Sequence, residues 1–441
     1  MQGHAVRARF ECLVANLPRI ELRQDLLKMI QLIASQLGQR LLKKAMMGVR
    51  KQQLDGSACG LFLAMGMVEQ HLVEVSFYAR EPISRGFGRQ MQHGAGVYRE
   101  EKWMPLVGRD ASRRRPARFR AMRTRPLGRS GLQVSEISLG SWLTLGSRVD
   151  FKETARLVHR AFDLGINLFD TADVYAKGEA EKALGESLLE LPRHQVVLAS
   201  KAFFPMSEHP NDRGLSRKHI VESVESSLRR LRTDYLDLHQ CHRADPDVPM
   251  EETVRVYEDL IRQGKVLYWG VSMWSASQIA EACGLADQHG GYRPISNQPS
   301  YSILQREIEA GVLSTSEREG LGQIVYSPLG QGVLTGKYSG GKIPDQSRAN
   351  DPERNLWMSR VLDAEVLHRV DQLQPLAEGQ GITLAQLALA WCLRKTSVSS
   401  VIIGATRIEQ LEENAKSIGI ELSTETIGRI EELFPGPDDH G

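Results

Sequence analysis

Two patterns of apolar and polar residues divide the chain near residue 122. Downstream of Arg123, short apolar runs rich in β-branched and aromatic residues alternate with stretches whose apolar residues recur at helical spacing. The short runs are Ile137–Trp142, Asn167–Thr171, Val196–Lys201, Tyr235–His242, Val266–Ser272, Ile295–Gln298, Gln323–Ser327 and Val398–Gly404. Their length and composition suit strands buried on both faces of a parallel sheet. The intervening stretches carry helix punctuation. Asp150 with Glu153 predicts an N-cap, Ala155, Val158 and Phe162 an apolar stripe, and Gly165 a stop. Val254, Tyr257 and Ile261 repeat the stripe before Gly264, while Ser275 with Gln278 and Thr383 with Gln386 have capping-box spacing. Strict strand–helix alternation implies a parallel sheet with right-handed crossovers. Eight such pairs over roughly 310 residues predict an α/β fold of the (β/α)8 TIM-barrel type rather than an open sheet. Before them, Leu127-Gly128-Arg129-Ser130-Gly131-Leu132 predicts an N-terminal β-hairpin whose glycines make the turn.

Upstream the pattern is weak. Leu22–Met46 could form one amphipathic helix, with Leu26, Ile30, Ile33, Leu37 and Leu41 near helical spacing. Residues 1–121 hold 21 Lys and Arg against 10 Asp and Glu, whereas the remainder holds 35 against 44. The small net charge of +2 is therefore an average over two unlike parts. The expected division is a basic, poorly ordered extension over 1–121, a barrel over 122–436 and a short tail over 437–441. Met122 would also make a plausible start of the functional product. The run Arg113-Arg114-Arg115-Pro116-Ala117-Arg118-Phe119-Arg120 could contact phosphates. No nucleic-acid reading module accompanies it, so a solvated linker is the better reading.

Composition removes several function classes. Hydrophobic residues at 41% and charged ones at 25% describe an ordinary globular chain. The best apolar run, Ala58 to Val68, is too short to span a bilayer. Arg7, Arg9 and Glu11 interrupt any signal-peptide core. Five scattered cysteines without a CxxC pair point to reduced thiols and a cytoplasmic setting. No GxGxxG occurs, so a Rossmann domain lacks support. Gly332-Val333-Leu334-Thr335-Gly336-Lys337-Tyr338 is one residue short of a phosphate loop and has Tyr338 where the metal-binding hydroxyl belongs. His239 and His242 lie three apart on one strand, hence on opposite faces, and cannot readily share a metal.

What remains is a set of polar residues where barrels keep their chemistry. Asp170 ends the second strand, Tyr175 follows on its loop, Lys201 ends the third strand and His242 the fourth. All four map to the C-terminal face of the barrel. A tyrosine near its ordinary pKa of about 10 is a poor proton exchanger at neutral pH. A lysine beside it is expected to pull that value down, and an aspartate to keep the lysine charged and aimed. A histidine can orient a carbonyl oxygen. Each residue also has a structural reading: Asp170 as a helix cap, Lys201 as a solvated cation, His242 as a satisfied polar residue, Tyr175 as a packed aromatic. Their placement on three successive strand ends favours a shared site.

The stretch Asn167-Leu168-Phe169-Asp170-Thr171-Ala172-Asp173-Val174-Tyr175 resembles the signature of the aldo-keto reductases. The opening hairpin, Pro249-Met250-Glu251-Glu252-Thr253, Tyr326-Ser327-Pro328-Leu329, Leu334-Thr335-Gly336-Lys337-Tyr338 and Ala388-Leu389-Ala390-Trp391-Cys392-Leu393-Arg394 continue the likeness in order. It covers roughly residues 123–435 and is nearest the potassium-channel β-subunit-like branch. The resemblance implies an NADPH-dependent reductase of aldehydes or ketones with Asp170, Tyr175, Lys201 and His242 as its tetrad. It further implies that Ser141 and Trp142 line the nicotinamide end and that Ser272 and Gln298 hold the carboxamide. Tyr326, Ser327, Pro328, Leu329, Gln331 and Gly332 would follow the pyrophosphate. Lys337 and Arg348 would meet the 2′-phosphate, and Gly404, Thr406, Gln410, Glu413 and Asn414 the adenosine. Channel β-subunits typically carry asparagine where this chain has His242, tryptophan where it has Tyr326 and often glutamine where it has Arg148. The branch also supplies a second reading, an NADPH-bound regulatory subunit of a membrane channel with little turnover, and it contains ring-like homo-oligomers.

Overall fold

The computed structural model describes residues 122–437, apart from 147, 346, 352–354, 356–357 and 359–360. The expected helix at Leu22–Met46, the arginine run and the basic extension lie outside the described residues, as does most of the tail. A two-stranded antiparallel hairpin, β1 (Thr124–Pro126) and β2 (Gln133–Ser135), opens the described chain. Eight parallel strands follow: β3 (Ile137–Gly140), β4 (Leu168–Asp170), β5 (Val197–Ala202), β6 (Leu236–Cys241), β7 (Val266–Val271), β8 (Ser296–Asn297), β9 (Gly322–Val325) and β10 (Val398–Ile403). β10 pairs with both β9 and β3, which closes the barrel. The predicted (β/α)8 fold and its hairpin are thus present. Apart from β5, which matches its run in length and is shifted by one residue, the strands are shorter than the apolar runs that predict them. Trp142, Thr171, His242, Ser272, Gln298, Ser327 and Gly404 all fall just past the last ladder residue. Polar side chains there leave the sheet to build the loops of the mouth.

The helices that cover the barrel obey the expected caps. Helix α1 (Phe151–Asp163) begins at Asp150, whose carboxylate accepts the Glu153 N–H. Its buried face is Thr154, Leu157, Val158 and Ala161, rotated from the expected stripe so that Ala155 and Phe162 sit at its margin. Four further helices lie in order: α2 (Glu179–Leu188), α3 (Arg217–Leu231), α4 (Met250–Arg262) and α5 (Ala276–Gln288). The capping box of α5 is complete, with Ser275 and Gln278 each satisfying the other's backbone. Beyond α6 (Val312–Glu319), α7 (Ala364–Asp371) and α8 (Gln374–Gly379), the second complete box, Thr383 with Gln386, starts α9 (Leu384–Leu393), which is buried along its whole length. α10 (Ile408–Ala415) and α11 (Thr424–Leu433) finish the wall. Among the described residues, no helix is long and apolar enough to cross a membrane.

Alternation within the strands makes two cores. Outward residues such as Phe169, Leu198, Trp269, Val271 and Val401 pack under the helices. Inward residues Leu168, Val197, Ala199, Leu238, Ile324 and Ile402 fill the barrel, and Leu127 and Val134 of the hairpin join them. The hairpin is therefore the plug at the N-terminal end. Its turn is held by Gly128, whose φ of +60° and position leave no room for a Cβ, which would fall 2.2 Å from the Gly320 carbonyl oxygen.

Candidate active site

Period-two alternation carries the inward face from this apolar interior to a polar layer at the mouth. Asp170 stands two residues beyond Leu168, Lys201 two beyond Ala199, Gln240 two beyond Leu238, and His242 two further on. Lys201 is wholly buried, and its ammonium donates to Asp170 Oδ2 at 2.7 Å, to the Thr171 carbonyl at 2.7 Å and to Tyr175 Oη at 3.3 Å. The other carboxylate oxygen, Asp170 Oδ1, accepts the Gln298 amide at 2.8 Å, and the same amide also donates to Gln240 at 3.0 Å. Asp170 thus ties β4 to Lys201 of β5 and, across the barrel mouth, to Gln298 at the end of β8, and is no helix cap. A buried ammonium survives desolvation only with such a partner. Burial disfavours the Lys201 charge, but Asp170 and Tyr175 more than offset it, so its pKa stays above the usual lysine value.

Tyr175 lies in a short 3-10 turn, Tyr175–Gly178, whose Ala176 and Lys177 adopt left-handed backbone. The expected depression of its pKa does not hold. Burial of the phenol is the largest influence and raises the value above 10; Lys201 opposes it without prevailing. The Lys201–Asp170 ion pair adds to this effect of burial. Asp170, 2.7 Å from the ammonium, cancels much of the field that Lys201 would otherwise exert on the phenol. Tyr175 is accordingly a protonated donor.

His242 stands edge-on to Tyr175, with ring centroids 5.6 Å apart, and edge-on to Phe204 at 4.9 Å. Burial, with help from the Lys201 and Arg243 charges, holds its pKa well below 6.5. It is a neutral imidazole whose buried Nδ1 has no hydrogen-bond partner among the described residues. His239 faces the opposite way, bonded at 2.9 Å to Tyr257 of α4. The two histidines are separated as alternation requires. Among the described residues, no cluster of three or more His, Cys, Asp or Glu could hold a metal ion.

The remaining predicted residues lie in segments that follow β3, β7, β8, β9 and β10. The Ser141 hydroxyl donates to Thr171 Oγ1 at 2.8 Å, and Ser272 donates to the Gln298 carbonyl at 2.8 Å. Because the Gln298 amide nitrogen is committed to Asp170 and Gln240, its side-chain oxygen is the atom left to meet a ligand. Trp142 is 37% exposed and lies beneath the Arg348 guanidinium, 4.9 Å from ring centroid to Cζ. The structure thereby joins two residues that the resemblance puts at different ends of a cofactor. After β9, Tyr326 donates to the Met273 sulfur at 3.4 Å. Ser327, Pro328, Leu329, Gln331 and Gly332 then form a tight loop with left-handed backbone at Ser327, Gln331 and Gly332. A Cβ on Gly332 would lie 2.6 Å from the Lys337 ammonium, the end of a flexible exposed side chain, so that cation lies close over the loop. A glycine turn under a lysine could hold a phosphate, and to that extent the chain fits a dinucleotide. Next to this loop, Gly404 and Thr406 follow β10, the neighbour of both β9 and β3. The Gln410 side chain accepts from the Thr406 N–H at 3.0 Å, Glu413 is engaged by Gln386 and Lys416, and Asn414 is buried.

Sequence reasoning overlooked Gln240, Phe204 and Arg243. Gln240 was readable, since it shares the inward parity of Leu238 and His242; the other two depend on loop geometry.

Comparison with known proteins agrees with this architecture. The aldo/keto reductase family model matches residues 136–434. A relative from Arabidopsis thaliana, named as a voltage-gated potassium channel subunit beta, is 46% identical over 319 residues, covering 71% of this chain and 97% of its own. A rice protein (Oryza sativa subsp. japonica) of the same name is 45% identical, covering 70% and 96%. One from Schizosaccharomyces pombe, also named as such a subunit, is 42% identical, covering 70% and 92%. With a closed eight-stranded barrel and this match along nearly all of it, the chain belongs to the aldo/keto reductase family, in its potassium-channel β-subunit-like branch.

Proposed function

We propose that the protein is an NADPH-dependent oxidoreductase that reduces aldehyde or ketone carbonyls to alcohols. The observation that carries this reading is the contact of the buried Lys201 ammonium with both Asp170 and Tyr175, at 2.7 and 3.3 Å. NADPH, when bound, supplies the hydride that reaches the carbonyl carbon. The Tyr175 hydroxyl gives its proton to the carbonyl oxygen, and the adjacent ammonium stabilises the phenolate left behind until solvent restores the proton. The charge of Lys201 matters most at that moment, when the phenol has become an anion. Neutral His242 can donate a hydrogen bond to the same oxygen and hold it toward Tyr175. General-acid assistance of this kind is worth about 100- to 10,000-fold, and fixed positioning supplies much of the rest.

The residues proposed to hold NADPH are Ser141, Trp142, Ser272 and Gln298 at the nicotinamide end and the 326–332 loop along the pyrophosphate. Lys337 and Arg348 would take the 2′-phosphate, and residues 404–414 the adenosine. The buried free thiols of Cys241, Cys283 and Cys392 suit a cytoplasmic enzyme. Tyr175→Phe tests the reading. Carbonyl reduction should fall by at least about 100-fold, while NADPH affinity by fluorescence titration stays near the wild-type value. Undiminished turnover in that variant would dismiss Tyr175 as the donor.

The relatives' names support a second reading, a nucleotide-bound regulatory subunit of a membrane channel. Single-turnover oxidation of bound NADPH separates the two: slow oxidation with every carbonyl tried favours regulation, and rapid oxidation favours the reductase.

A further inference from the structure

Arg243 follows His242 directly and is part-buried at the mouth. Its guanidinium lies over the Phe204 ring, 5.4 Å from the centroid, and donates to the His242 carbonyl at 2.5 Å. Phe204 is itself edge-on to His242, and His242 to Tyr175. One continuous stack therefore ties the cation to the proposed proton donor. Its charge reaches Tyr326, where burial alone outweighs it, and more weakly His242 and Tyr175, where Lys201 acts more strongly.

Other part-buried arginines are matched by acids. Arg193 meets Asp237 at 2.7 Å, Arg230 meets Glu181 at 2.5 Å, and Arg306 meets Glu309 at 2.6 Å. Arg243 is different. Among the described residues no carboxylate stands within 4.0 Å of it, and the oxygens it meets, the His242 carbonyl and the Tyr326 hydroxyl, are neutral. A guanidinium is a planar fork shaped for a carboxylate. Partly desolvated, stacked and unmatched by an acid, it is poised for an anion brought by a ligand. Phe204, Tyr326 and the exposed Met273 beside it offer apolar walls for the part of that ligand between its charge and its carbonyl.

We propose that Arg243 determines substrate specificity by receiving the carboxylate of an oxo-acid, an aldehyde or ketone that carries a carboxylate on an apolar or aromatic frame. The guanidinium would anchor the charged end so that the carbonyl points at Tyr175 and His242. The inference rests on the reductase reading above, and the experiment is built so that the two can fail separately. Two substrates, para-carboxybenzaldehyde and its methyl ester, are compared by kcat/KM in wild type, Arg243→Gln and Arg243→Lys. Wild type should favour the acid, mainly through KM and less so at high salt. The acid-to-ester ratio should fall about 10- to 100-fold in Arg243→Gln, the range for a lost charge-assisted hydrogen bond, and recover in part in Arg243→Lys. NADPH affinity is titrated in parallel. An unchanged ratio, or a tenfold loss of NADPH affinity with acid and ester impaired equally, would overturn the proposal and assign the cation to the cofactor. Binding of para-(hydroxymethyl)benzoate to the NADPH-saturated protein reads Arg243 without turnover. If wild type reduces neither aldehyde, weaker binding of this acid to Arg243→Gln still supports the anion site, and equal binding refutes it.

Discussion

Asp173 offers a stringent test of the electrostatics around the site. It has no exposed surface, and its Oδ2 accepts the Ser223 hydroxyl at 2.8 Å. Its Oδ1 has no partner among the described residues. Burial raises its pKa from 3.8 to about 7; the Ser223 hydrogen bond and the Arg230 charge only partly oppose that, and Glu181 adds to it. The folded protein thus holds this proton more tightly than the unfolded chain. Stability from the protonated form is fully present below pH 4 and is lost as the pH climbs toward 7. A rise of roughly three units, at 1.36 kcal/mol each, makes the total loss about 4 kcal/mol. Asp173→Asn keeps the shape and the Ser223 contact but cannot ionise. Its stability relative to wild type should therefore rise by about 4 kcal/mol between pH 4 and 7.5, whatever offset the amide introduces at low pH. Chemical denaturation of both proteins at half-unit steps measures the difference directly. A difference that stays flat within about 1 kcal/mol would show that Asp173 titrates as an ordinary carboxylate and that the burial argument is wrong.

Other expectations are simpler. Burial holds Tyr175 above 10 and keeps His242 well below 6.5, so both are in the form needed for reduction across neutral pH. The kcat/KM for a neutral aldehyde should stay level from about pH 6.5 to 9 and decline only as the phenol ionises; an inflection near 7 in the pH–rate profile would contradict this. Lys337→Ala should weaken NADPH by about 10- to 100-fold and NADH much less; equal losses in paired titrations would remove Lys337 from the 2′-phosphate. Gly128→Ala introduces a Cβ 2.2 Å from a carbonyl oxygen at positive φ. Thermal unfolding should show at least about 1–3 kcal/mol of destabilisation, and a wild-type midpoint would mean the hairpin does not plug the barrel as described.

Residue order alone was enough to read the fold. Repeated strand-length apolar runs can be buried on both faces only if helices cover them, and caps such as Ser275 with Gln278 mark where those helices start. Such rules act over a few residues, which is why they survive without coordinates. Position at strand ends likewise mapped Asp170, Lys201 and His242 to the barrel mouth, and strand alternation places Gln240 on their inward face as well. Loop-borne contacts were beyond its reach. That Gln298, from the end of β8, bonds Asp170 on β4 follows from closing the cylinder, as does the lack of an acid opposite Arg243 among the described residues. Acidity was the property most dependent on three dimensions. A lysine near a tyrosine in sequence logic promises a depressed phenol, but dehydration and the Asp170 counter-charge reverse the sign. Pattern specifies which side of a strand a group occupies; only packing sets how much water and how much opposing charge surround it.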